Sequence, residues 1–367
     1  SLFWLLQTAT NAVQLIQQLL TLSRRDESAS PNFIFPCSRS SPPISLFRLI
    51  AEPHWSKLPN NRLSDRTESQ SDLCLMKIEK YRCLYFLIVF TVFILILLCN
   101  CTIIFIIVVQ KSLHEPMYIF IAALLTNSVM FSMAVYPKLL VDILSKRQII
   151  TYYACLLQYV VYYFLGASEF LLLTAMSFDR YVSICKPLQY QSLMSKRRVT
   201  VMLMLSWLWP LLQLTIAISG KVIINQRPCS FSLEGIFCDS ALQLLLCKKL
   251  EELAVLDTLI LLNVVVLPSL FILFTYIRIL KISYRSSKEV RSKAAQTCLP
   301  HLLVLVNFSC LSSFDVIIGF FGSGYPKTLH LTVMLQIIIY QPLFNPIIYG
   351  LKMKEISKHV KMLIWGR

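Results

Sequence analysis

Seven long runs of apolar residues dominate the chain: Leu84–Val109, Met117–Tyr136, Tyr152–Phe178, Val199–Gly220, Leu253–Ile277, Ala294–Phe321 and Leu329–Leu351. Each reaches the length of about 20 residues that an α-helix needs to cross the hydrocarbon core of a bilayer. In lipid the backbone N–H and C=O groups find no water, so a span has to satisfy them within itself, and helix is the expected conformation. The pattern predicts an all-α membrane protein, a seven-transmembrane-helix bundle over residues 76–351, followed by a short amphipathic C-terminal helix and tail over 352–367.

Residues 1–75 break the pattern. They are rich in Ser, Arg, Pro and Asn, as in Ser38-Arg-Ser-Ser-Pro-Pro43, and their apolar run from Leu2 to Leu22 is interrupted by Gln7, Asn11, Gln14, Gln17 and Gln18. The basic start, short apolar core and small-residue cleavage site of a secretory signal are not evident. The expectation is an atypical extension, disordered or artefactual, with the membrane domain starting near Met76.

Composition agrees with the hydropathy pattern. The 367 residues are 56% hydrophobic and 15% charged, with a mean hydropathy of +0.64 and 8 glycines, which places the chain among membrane proteins. A formal charge of +16 could suggest a nucleic-acid partner, but its distribution argues otherwise. Seventeen Lys and Arg lie on one alternating set of connections and eight on the other. Basic residues favour the cytoplasmic side, so seven spans put the C-terminus inside and the segment before Leu84 outside. The basic surface then meets anionic lipid and a cytosolic partner. No nucleophile, base and orienter set emerges, so no enzyme is expected. Few glycines and no internal repeat weigh against a transporter, the competing class; a product of a faulty gene model that never reaches the membrane is the third reading.

The third run, Tyr152–Phe178, is 27 residues long, carries one acidic residue, Glu169, and ends in Asp179-Arg180-Tyr181-Val-Ser-Ile-Cys-Lys-Pro187. Ionisable groups at such a boundary usually belong to a switch or an interface. Leu113-His-Glu-Pro-Met-Tyr118 leads into the second run, Lys293-Ala-Ala-Gln-Thr-Cys-Leu-Pro-His-Leu302 opens the sixth, and Pro342-Leu-Phe-Asn-Pro-Ile-Ile-Tyr-Gly-Leu351 closes the seventh. These strings resemble those of odorant receptors, a branch of the rhodopsin-like G-protein-coupled receptors, over about Lys80 to Lys361. Several phrases are more similar to the receptors of fishes than to those of mammals.

The resemblance implies roles. Arg180 would pair with Asp179 at rest and swing to a G-protein helix when active, with Tyr181 completing the motif. Tyr276 and Tyr349 would be the two tyrosines whose hydroxyls meet across water when the sixth helix moves, and Asn345-Pro346 a hinge, because Pro346 breaks an intrahelical hydrogen bond. His301 is either part of the switch or a satisfied interior histidine. Cys155 would pair with Cys238 and Cys229 with Cys247 on the oxidising outer face; a zinc site competes for these cysteines, though their loop holds no His. The implied location is the plasma membrane, and the implied partner a heterotrimeric G protein of the stimulatory olfactory type.

For the ligand, the resemblance implies a small, uncharged or weakly polar, water-borne odorant bound between helices three, five, six and seven. Tyr159, Tyr162, Tyr163 and Gly166 recur at i, i+3, i+4 and i+7, one face of a helix that suits interhelical packing as well. Facing them would be Leu261 and Val264 from the fifth helix, Ser312, Ser313 and Val316 from the sixth, and Ile338 from the seventh. Amine-sensing relatives place an Asp where Tyr162 stands, which argues against a biogenic amine. Glu169 either holds a sodium ion with Ser128 and Asn100 or is a protonated carboxyl group bonded to its neighbours; no other cofactor or metal is expected.

Overall fold

The computed structural model describes residues 47–49, 68–145, 149–150, 152–223, 232–233, 251–285, 302–306, 308–309 and 327–365. The apolar runs within them are helices: α1 (Glu68–Val109), α2 (Pro116–Leu144), α3 (Tyr152–Cys185) and α4 (Lys196–Ile223). Helix α5 joins Glu251–Leu261, a π-helical turn Leu262–Val266 and Leu267–Arg285. The sixth expected span is described only at 302–306 and 308–309, both helical, here α6. Helix α7 (Lys327–Lys352) follows, and α8 (Lys354–Trp365) leaves it after Met353. Of the segment expected to be atypical, residues 47–49 and the start of α1 at Glu68 are described; the rest lies outside the described residues.

Six helices among the described residues are long and apolar enough to cross a membrane: α1 to α5 and α7. Their lipid-facing character shows in exposed large apolar side chains such as Phe105, Val108, Leu208, Leu212, Leu270 and Leu280, surface that water would penalise. Helix α8 differs: Ile356 and Val360 are buried while Lys354, Lys358 and Lys361 are exposed, the two-faced pattern of an interfacial helix. Pro116 opens α2, where its missing N–H costs nothing.

Helix α3 is central, packing against α2, α4 and α5, while α7 packs on α1 and α2, and α8 on α7 and α1. Gly350 permits the close approach of α7 to α1, since a Cβ there would sit 3.1 Å from Ile103 Cδ1. Two apolar layers form the core. One surrounds the Arg180 end of α3 and includes Tyr118, Leu124, Leu172, Met176, Tyr276 and Tyr349. The other surrounds the Cys155 end and includes Ile96, Tyr136, Tyr159, Tyr162 and Ile338.

Three short strands, β1 (Phe47–Leu49), β2 (Ile149–Ile150) and β3 (Ser232–Leu233), form a sheet in the order β2-β1-β3, parallel in the first pair and antiparallel in the second. It joins the connections that follow α2 and α4.

Candidate functional site

Helix α3 carries three groups of polar or aromatic residues along its length. At one end Asp179 is fully buried. One of its carboxylate oxygens accepts a hydrogen bond from Arg180 Nε at 2.9 Å and a second from a terminal nitrogen of the same guanidinium. The other oxygen accepts from the Tyr190 hydroxyl at 2.8 Å. Bonds to an ionised acceptor are the strong ones. Tyr190 reaches Asp179 because the chain turns back through the 3₁₀ segment Pro187–Gln189. Burial first, and the Asp179 charge next, push the Tyr190 hydroxyl above its ordinary pKa, so it stays a donor at neutral pH. Tyr181 packs on the same layer, its ring 6.5 Å from that of Phe274 on α5, and Tyr276 and Tyr349 are buried there too.

Three helical turns along, α2, α3 and α7 meet at a buried polar group. Asn345 Nδ2 donates to Ser128 Oγ at 3.2 Å and to Glu169 Oε1 at 3.0 Å. The side-chain amides of Gln341 and Asn127 lie within hydrogen-bonding reach of the same carboxyl group. Asn100 Nδ2 instead donates to the backbone oxygens of Pro342, at 2.9 Å, and Ile96, at 2.8 Å. The first of these has a simple cause. Pro346 has no N–H to offer the carbonyl four residues earlier, and the α1 side chain supplies the donor. The Oδ1 atoms of Asn100 and Asn127 are buried without a hydrogen-bond partner among the described residues, a costly state for an acceptor.

At the Cys155 end, Tyr159 and Tyr162 are buried and Tyr163 and Gly166 half-buried. The tyrosines pack on one another and on α2: ring centroids are 4.6 Å apart for Tyr159 and Tyr163, 5.1 Å for Tyr162 and Tyr163, and 6.0 Å between Tyr162 and Phe131 of α2. Gly166 faces open space, for a Cβ built there meets nothing within 4 Å among the described residues. Val264, in the π-helical turn, and Ile338 are buried; Leu261 is half-buried. Cys155 is buried and disulfide-bonded. His301, Ser312, Ser313, Val316, Cys229, Cys238 and Cys247 lie outside the described residues.

Three residues of these groups, Tyr190, Asn127 and Gln341, were not expected from sequence, nor was the double contact of Asn345. A signal existed for two. Asn127 adjoins Ser128, and Gln341 lies four residues before Asn345 on one helical face.

The sequence model of the olfactory receptor family matches residues 89–366. Olfactory receptor 6E1 of Mus musculus is 34% identical over 294 residues, covering 78% of this chain and 90% of that protein. Olfactory receptor 6K3 of Homo sapiens is 32% identical over 283 residues, covering 76% and 84%. The crystal structure of squid rhodopsin superimposes with a TM-score of 0.58 at 19% identity over 75% of this chain and 80% of that one, a likeness of fold.

Proposed function

The chain belongs to the olfactory receptor family, and from that premise we propose that it binds a small, weakly polar, water-borne odorant beside α3 and activates a G protein of the stimulatory olfactory type. Membership makes it a multi-pass membrane receptor and not an enzyme. The reading adds that the C-terminus is cytoplasmic, as the basic asymmetry between connections favours.

The observation that carries the proposal is the division of labour along one helix. Gly166 faces open space at one level of α3, and the Asp179–Arg180–Tyr190 cluster closes its other end. Fourteen residues separate Gly166 from Arg180, about 21 Å of rigid helix. A ligand seated beside Gly166 shifts the receptor only as far as it prefers one arrangement of these ends.

Filling the space is the test. Gly166→Leu puts a side chain where ligand atoms would sit, so the ligand concentration for half-maximal cAMP in cells should rise about tenfold or more, with surface level unchanged. Unaltered potency removes Gly166 from the pocket, and absence of any ligand-evoked cAMP from the parent across a broad odorant set sinks the coupling assignment.

The two partnerless amide oxygens favour a second element, a sodium ion held by Glu169, Ser128, Asn100 and Asn127. Hard cations take oxygen ligands, and this group supplies carboxylate, hydroxyl and amide oxygens. The ion would add positive charge between α1, α2, α3 and α7 and favour the resting arrangement. Replacing sodium with a large organic cation at constant ionic strength should then lower the half-maximal ligand concentration in the parent and leave Glu169→Gln indifferent. A flat parent response points to a protonated glutamate, whose Gln variant keeps a donor and an acceptor.

A further inference from the structure

Helix α7 contains two prolines, Pro342 and Pro346, four residues apart. Each deprives the carbonyl four positions earlier of its intrahelical donor, so the carbonyls of Ile338 and Pro342 need donors from elsewhere. Asn100 of α1 supplies one, as described above. The other comes from α2: the Tyr136 hydroxyl donates to the Ile338 carbonyl at 3.2 Å.

The geometry points to Tyr136 as a positioning residue, whose hydroxyl replaces the N–H missing at Pro342 and clamps α7 to α2 next to the ligand region. Three observations support this. Tyr136 and Ile338 are both fully buried, so water is no substitute donor, and an unpaired carbonyl there bears its full desolvation cost. The Tyr136 ring is held in place by stacking on Phe93 of α1, with centroids 5.1 Å apart and planes 16° from parallel. And the bond lies on the same helix as Asn345, seven residues on, which joins Ser128 and Glu169. Between Ile338 and Pro346, α7 gives up two rungs of its own ladder, and the two carbonyls so freed each accept a bond from a neighbouring helix, α2 for Ile338 and α1 for Pro342. Its position relative to α1 and α2 is therefore set by side chains.

The clamp belongs to the arrangement in which Arg180 is bonded to Asp179, so losing it weakens that arrangement. This effect on signalling rests on the receptor reading above; the bond itself does not.

A double-mutant cycle tests the pairing. Tyr136→Phe in the full chain should lower the thermal midpoint of the detergent-purified receptor by roughly 2–4 °C and raise ligand-independent G-protein activation, per receptor at the surface, about tenfold. In a Pro342→Ala background the same change should alter either readout by less than about twofold in the equilibrium, because the Ala N–H then serves the Ile338 carbonyl. In a Pro346→Ala background the full effect should persist, since that proline orphans a different carbonyl. Equal effects of Tyr136→Phe in all three backgrounds, or none in any, overturn the inference; a cycle seen in melting with flat output supports the clamp and removes its effect on signalling. If Tyr136→Phe alone fails to reach the surface, its recovery by Pro342→Ala supports the pairing and its failure to recover refutes it. The melting arm involves no G protein, so loss of the coupling assignment and loss of the clamp are told apart.

Discussion

Arg180→Ala is expected to abolish G-protein activation while leaving ligand binding near that of the parent. The guanidinium is 11% exposed, held against a carboxylate that is fully buried, and stands far from Gly166 along α3. Its removal strips Asp179 of its ionic partner and leaves the Tyr190 bond at 2.8 Å. Breaking a buried pair commonly costs about 3–5 kcal/mol; at the end of a span with a second donor in place the loss should be smaller, so output is compared at equal surface density. Asp179→Asn supplies the sign. It frees Arg180 without deleting it, and ligand-independent output should rise. Opposite signs from the two halves of one ion pair are what a switch produces and what a packing pair does not. Full output from Arg180→Ala at matched density would remove the residue from the coupling mechanism.

The second large effect is expected at the other end of the same helix. Cys155→Ser should eliminate the receptor from the cell surface, because Cys155 is buried and disulfide-bonded and losing a native disulfide commonly costs about 2–5 kcal/mol. Cys238→Ser should match it if these two are partners. Cys101, free and exposed on α1, is the control whose Ser variant should behave as the parent. Surface levels read by antibody to an extracellular tag decide the matter: wild-type levels for Cys238→Ser would assign Cys155 a different partner.

Much of the architecture was legible in the chain because membrane spans announce themselves by length and apolarity alone. Each of the six long apolar helices corresponds to a run visible in the sequence. The Asp179–Arg180 pair was equally plain, since charge at the end of an apolar run has few other uses. Glu169 could be named from its depth in an apolar run and Ser128 from the family resemblance, but not the residue that joins them: Asn345 reads as part of a hinge because it precedes Pro346, and only its bonds to α2 and α3 show its second duty. Tyr136 was less visible still. At the end of an apolar run it counts as one more buried aromatic, and its meaning comes from a proline more than 200 residues away. Simple counting could have asked half the question, since any proline inside a helix leaves a carbonyl four residues earlier in search of a donor.

The proline-and-cap arrangement of α7 also imposes an order on descent. Pro346 can be lost first at little cost in stability, because the helix regains its own bond and Asn100 merely holds a spare amide. Losing Asn100 first strands a carbonyl in lipid-covered protein, where an unmet acceptor costs about 1–3 kcal/mol. The steps are individually reversible yet differ in hazard with direction, so a lineage passes safely from capped proline to plain helix by shedding the ring before the side chain. The reverse journey must begin with the side chain and add the ring last.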